Sequence, residues 1–191
     1  MQLDEIAEQI LACRRCPLHQ HRTRPVPGEG PANAKLMLVG EAPGRFEDKS
    51  GKPFVGAAGK FLDELLSIAG LKRSDVFIGN VVKCRPPNNR DPLESEIKAC
   101  SPWLDMQFNV IRPRLVVSLG RFSMDFFLEK FALPKKNISE IHGQVFKVDT
   151  LMWHGYFVPM YHPAAALYRG NVKEEQINDW KILADFIKQR L

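Results

Sequence analysis

The chain is expected to fold as an α/β protein, a three-layer α/β/α sandwich around a central, mostly parallel sheet of four strands. Three observations lead there. Short continuous apolar runs such as Leu36-Met37-Leu38-Val39 read as strands buried on both faces. They alternate with longer stretches whose apolar residues recur at helical spacing. Strands separated by helices pair in parallel through right-handed crossovers, which places helices on both faces of the sheet.

The elements follow in order. Residues 2–12 carry Leu3, Ile6, Ala7, Ile10 and Leu11 on one helical face. Residues 35–40 form the first strand, and a Gly- and Pro-rich loop leaves it. A helix is expected over about 57–69, with Phe61, Leu62, Leu65, Leu66 and Ala69 as its apolar face and Gly70 as its stop. Residues 76–83 read as the second strand, 85–92 as a loop rich in Pro and Asn, and 94–111 as a helix. Leu115-Val116-Val117-Ser118-Leu119 is the third strand, followed by a helix over 121–130 and an irregular stretch over 131–143. Strand-like segments near 144–149 and 156–161 precede a loop beginning at His162, and a last helix covers about 173–190. No repeat, low-complexity tract or linker divides the chain, so one domain over 1–191 is expected.

With 191 residues, 45% of them hydrophobic, the chain is long enough to fill one core. Early acids at Asp4 and Glu5 and the lack of an apolar segment beside them argue against a signal peptide. No run of about 18 apolar residues predicts a membrane span. A cytoplasmic protein is the expectation, and its thiols are then reduced. The net charge of +5 permits a polyanionic partner without requiring one. Arg14, Arg15, His19, His21, Arg22 and Arg24 cluster around the first cysteines, and Lys83, Arg85 and Arg90 flank the third. If the cysteines meet, these groups gather on one side, where they suit phosphates or the neutralisation of an anionic metal group.

Four cysteines dominate the candidate ligands. Cys13-Arg14-Arg15-Cys16 puts two thiols on one tight turn, whereas Cys84 and Cys100 are too far apart for a second turn of that kind. Structural zinc usually takes two short-spaced pairs, while iron–sulfur clusters accept scattered cysteines. The cluster is the first reading, zinc the alternative, and disulfides a distant third.

Ligands of parallel sheets sit beyond the C-terminal strand ends, and polar residues fall there: Glu41, Asn80 and His162. Gly40-Glu41-Ala42-Pro43-Gly44 is a small-residue turn through which backbone can approach a ligand closely. A nucleotide-phosphate loop is rejected, because Gly59-Lys60 is followed by Phe61 and Phe54 stands where the first glycine belongs. Asn80 in an apolar strand needs partners for both ends of its amide, and a nucleobase edge offers one donor beside one acceptor. Phe54 lies in a turn rather than on a periodic apolar face, as a stacking platform or a lid over the core. His162 opens a rigid His-Pro turn, where an imidazole can donate to an oxygen gaining charge or simply bond nearby backbone.

Together these residues resemble uracil-DNA glycosylases, specifically the family 4 type that carries an iron–sulfur cluster. The resemblance runs from residue 13 to about 167. It rests on Gly40-Glu41-Ala42-Pro43-Gly44, Lys49-Ser50-Gly51-Lys52-Pro53-Phe54-Val55-Gly56, Asn80-Val81-Val82-Lys83-Cys84-Arg85-Pro86-Pro87, His162-Pro163-Ala164 and the four cysteines. It implies a monofunctional enzyme that flips uracil out of DNA and hydrolyses its glycosidic bond, on single- and double-stranded DNA. Phe54 would stack on uracil, Asn80 would bond its edge, the 41–44 turn with Ala42 and Gly44 would contact its oxygen, and His162 would donate to it as the bond breaks.

The best-known relatives carry aspartate where this chain has Ala42. Glu41 is therefore expected to position the water, with Glu47 and Asp48 as substitutes. Gly44 stands where a tyrosine otherwise blocks thymine, and Glu47 can crowd that corner. Leu167 is expected either to enter the gap left by the flipped nucleotide or to sit in the core, with Arg169 and Arg85 near the DNA. A structural [4Fe-4S] cluster on Cys13, Cys16, Cys84 and Cys100 is implied, because hydrolysis needs no electron transfer. The resemblance also implies a monomer, nucleoid-associated when bound to DNA, and names no protein partner. A related type attaches covalently to DNA through an added histidine, but residues 45–56 contain none. A metal-stabilised DNA-binding module without catalysis is the alternative from another class.

Overall fold

The computed structural model describes residues 2–191. Five strands form one sheet: β1 (Leu36–Gly40), β2 (Val76–Asn80), β3 (Leu115–Leu119), β4 (Phe146–Asp149) and β5 (His154–Met160). Their order is β2-β1-β3-β5-β4, with β1 parallel to β2 and β3, and β3 parallel to β5. The expected count of four strands is thus one short. β4 returns through a tight turn, closed by the Thr150 and Trp153 backbones at 3.0 Å, and pairs antiparallel with β5. Such a hairpin needs no crossover helix, so the strand-like segment expected near 144–149 joins the sheet as a fifth strand.

Every residue of β1, β2 and β3 is buried, as unbroken apolar runs require. Alternate side chains serve two cores. Met37, Val39, Phe77 and Val116 face Trp103, Phe108 and Phe127 of α4 (Glu94–Ile111) and α5 (Arg121–Lys130). Leu38, Ile78 and Val117 face Leu62, Leu65, Trp180 and Leu183 of α3 (Ala57–Ile68) and α7 (Gly170–Arg190). Helix α1 (Leu3–Ala12) packs on α4. The three layers are those the alternation predicts. Two short helices lie within expected irregular stretches, α2 (Arg45–Ser50) and α6 (Ile138–Ile141). Each is too brief for a 3.6-residue period to show in sequence.

β2 ends at Asn80 rather than Lys83. There the chain bends across the end of β1, with Val81 N–H donating to the Gly40 carbonyl at 3.0 Å and Val82 N–H to that of Glu41 at 2.9 Å. Because four strands are parallel, their C-terminal ends share one edge, with Gly40 paired to Asn80 and Leu119 to Met160. Among the described residues no helix is long and apolar enough to cross a membrane.

Candidate functional site

A cavity of about 310 Å³ opens at that edge, and its walls include Glu41, Gly44, Glu47, Phe54, Asn80 and His162. Six residues from four stretches of chain, expected at one site from sequence, are brought together. Ala42 lines it as well, as do Pro86, Asn89 and Arg90 from the loop after the third cysteine.

Asn80 is buried at the end of β2, and its side-chain amide has no hydrogen-bond partner among the described residues. Its polar ends are therefore free for a ligand. Gly40 makes room for it: a Cβ there would lie 2.5 Å from Asn80 Oδ1 and 2.7 Å from Phe54 Cζ. Any larger residue would push both groups out of place.

Phe54 is held in the left-handed region at φ 51°, which costs a non-glycine residue about 1–3 kcal/mol. Arg73 compensates, donating to the Pro53 carbonyl at 3.1 Å and to the Phe54 carbonyl, while its Nε is held by Asp63 at 2.6 Å. Hydrogen bonds from a charged donor are worth about 1.5–3 kcal/mol each, enough to hold the turn. Gly59 permits the close approach of α3, since a Cβ there would lie 1.8 Å from the Phe54 carbonyl oxygen. The Phe54 ring faces the His162 ring, with centroids 5.6 Å apart and 27° between planes.

His162 precedes a short 3₁₀ turn, Pro163–Leu167, and caps it: Ala164 N–H donates to Nδ1 at 3.1 Å. That bond puts the lone pair on Nδ1 and the proton on Nε2. Burial pulls the imidazole down to about 4, with the Glu47 carboxylate opposing. It is a neutral donor at pH 7.

Burial also pushes Glu41 up to about 7; the Asp91 carboxylate adds to the rise and Arg121 opposes it. Glu47 is committed differently. Its Oε1 accepts from Val55 N–H at 2.9 Å and Gly56 N–H at 3.0 Å, bracing the turn that carries Phe54. Its Oε2 lies 2.8 Å from where a Gly44 side chain would begin, so Glu47 fills that corner.

Several expectations need correction. Asp48 is buried away from the cavity and accepts from Thr23 N–H at 2.9 Å, so it is no substitute for Glu41. Lys83 is enclosed and adds nothing to a basic surface. Beside the cavity, Arg85 Nε donates to Asn89 Oδ1 at 2.6 Å. Leu167 is not a core residue, being 46% exposed beside the exposed Tyr168 and Arg169. Sequence reasoning missed Asn89 as a cavity residue and Asp91 and Arg121 as neighbours that tune Glu41. The run Pro86-Pro87-Asn88-Asn89-Arg90-Asp91 was the available signal.

The four cysteines gather around a second, smaller cavity together with Arg22, Lys83 and Trp103. Three sulfurs accept N–H bonds: Cys84 from Arg22 at 3.0 Å, Cys100 from the Lys83 backbone at 3.2 Å, and Cys13 from Trp103 Nε1 at 3.3 Å. Burial raises the Cys16 and Cys84 thiols and pushes Cys100 up to about 12. Each of these three also feels the charge of other cysteines in the set. Yet no three His, Cys, Asp or Glu side chains among the described residues are arranged to hold a single metal ion. A shared cavity, N–H donors aimed at sulfur and mutual proximity suit a group held by thiolates.

An apolar wall, a stacking ring, an open amide and a fixed imidazole donor define a site for a flat heterocycle with a hydrogen-bonding edge. Comparison with known proteins identifies the family. Residues 27–184 match the family described as the uracil DNA glycosylase superfamily, and the chain belongs to it. It is 47% identical to the Type-4 uracil-DNA glycosylase of Archaeoglobus fulgidus, across 96% of this chain and 92% of that one. The Type-4 enzyme of Sulfurisphaera tokodaii is 48% identical, across 94% and 82%. A Type-5 uracil-DNA glycosylase of Thermus thermophilus is 30% identical, across 75% and 80%.

Proposed function

We propose that this chain removes uracil from DNA, single- or double-stranded, by hydrolysing its N-glycosidic bond and leaving an abasic site for repair. The observation that carries this reading is the meeting of Phe54, Asn80, Glu41 and a single-tautomer His162 in one cavity. A module reading only the DNA backbone has no use for an open, buried amide opposite an imidazole donor, which disfavours the non-catalytic alternative.

The extruded base stacks on Phe54 and pairs its edge with Asn80, while the Ala42–Gly44 turn approaches its oxygen. As the bond from C1′ to N1 breaks, the electron pair leaves with uracil. Negative charge then grows on an oxygen facing His162 Nε2–H. A neutral donor in a desolvated cavity acts mainly where that charge develops, in the transition state. Water adds to the sugar carbon, and ionised Glu41 orients it and receives its proton. Glu47, by filling the corner beside Gly44, opposes the methyl group of thymine. Leu167 and Arg169 meet the DNA beside the vacated stack, and Arg85 supports the neighbouring loop through Asn89.

Cys13, Cys16, Cys84 and Cys100 hold a structural [4Fe-4S] cluster rather than zinc in this reading. These residues, just after α1, after β2 and within α4, would hold the group, which would then tie those segments together. The protein acts as a single domain over 1–191 and as a monomer, since one chain completes the cavity, in the cytoplasm and on the nucleoid when engaged with DNA. The test is excision from uracil-, hypoxanthine- and mismatched thymine-containing oligonucleotides without added cofactor. Uracil should be released, and His162→Ala should slow release by about 10²–10³-fold with little loss of DNA affinity. Equal losses in rate and affinity would indicate DNA docking instead.

A further inference from the structure

Lys83 is fully enclosed, yet it carries an ammonium. Burying such a group is costly unless it is paired. Its Nζ donates to the Asn80 carbonyl at 2.8 Å and to Gln107 Oε1 at 2.7 Å, and Gln107 Nε2 in turn donates to the Pro27 carbonyl at 2.7 Å. The backbone of Lys83 is engaged as well, its N–H with Cys100 Sγ at 3.2 Å and its carbonyl with Val26 N–H at 2.7 Å.

In a common turn, the carbonyl of one residue accepts from the N–H three positions later. Here that N–H belongs to Lys83 and points to a cysteine sulfur instead. The Lys83 side chain supplies the donor that the turn has lost. The strand end bearing Asn80 is thereby closed by an ammonium, and the same residue reaches the cysteine cavity. Because the Asn80 amide has no partner of its own, its direction depends on the backbone beneath it.

We infer that Lys83, seated by Gln107, is a positioning residue: it fixes the Asn80 strand end so that the amide faces the base, and joins that geometry to Cys100. The inference rests on the reading of the cavity given above. It is not a claim that Lys83 touches substrate.

The test compares single-turnover excision of uracil by the parent, Lys83→Met, Asn80→Ala and the double variant, with DNA Kd measured in parallel. Lys83→Met should slow excision by roughly 10- to 100-fold, with Kd within about threefold. In the Asn80→Ala background it should change the rate by less than about twofold, because the group it aims is gone. A lysine that only supports the fold would cost the same factor in both backgrounds. Losses that multiply, or a folded Lys83→Met excising at the parent rate, overturn the inference. If Lys83→Met does not fold, Gln107→Leu is the second lever, with about 3- to 10-fold loss expected and the same non-additivity with Asn80→Ala. Uracil release by the parent and its slowing to a low but measurable rate in Asn80→Ala test the cavity reading alone; a parent that releases no uracil overturns both.

Discussion

Glu41 makes the sharpest demand on the mechanism, because its carboxyl sits near neutrality. An ordinary glutamate is ionised throughout the physiological range, but burial and Asp91 raise this one to about 7. If ionised Glu41 orients the water, only about one tenth of the enzyme is competent at pH 6 and about nine tenths at pH 8. The single-turnover rate should then rise roughly tenfold across that interval and level off above it. DNA phosphates near the cavity act in the same direction as Asp91, so the midpoint in the complex lies at or above about 7.

His162, pulled down to about 4, is neutral across the whole window and does not contribute. The signs of neighbouring changes follow. Asp91→Asn removes an anion that favours the protonated acid, so the limb moves to lower pH. Arg121→Ala removes a cation that favours the carboxylate, so it moves to higher pH. The assay is release of uracil from an oligonucleotide under enzyme excess from pH 5 to 9, which separates chemistry from DNA binding. A flat rate between pH 6 and 8, or a limb that survives in Glu41→Gln, would refute the role.

Two further outcomes are expected. Gly40→Ala places a methyl group into Asn80 Oδ1 and the Phe54 ring; excision should fall at least about 100-fold, while DNA affinity measured by fluorescence anisotropy stays within about threefold. Purified protein should be brown with broad visible absorbance. Cys100→Ser should lose that colour and unfold about 10 °C or more lower by calorimetry, since binding energy available only to the folded state is folding energy and each kcal/mol shifts Tm by about 2–4 °C at this size. A colourless parent containing zinc would exclude the cluster.

Sequence alone determined the layered α/β architecture, because strands buried on both faces must be continuously apolar and the amphipathic segments between them must cover both faces. It also placed three polar members of the cavity at one edge. Glu41, Asn80 and His162 are polar residues at the ends of apolar strands, and parallel pairing sends all such ends to one edge. The strand-like segment near 144–149 was legible, but its antiparallel place at the sheet edge was not, since pairing direction leaves no mark on an apolar run.

The sequence could not assign work within the cavity either. Glu41, Glu47 and Asp48 are three nearby carboxylates of similar chemistry. Only the tertiary structure separates them, by burying one near a second acid, spending the next on the backbone of Val55 and Gly56, and turning the last away to Thr23. Lys83 is the plainest case. In sequence it reads as one more cation among arginines, and only three-dimensional packing reveals an ammonium sealed between Asn80 and Gln107. Periodicity reports which face a residue occupies, whereas protonation and hydrogen-bond partners depend on residues distant in the chain.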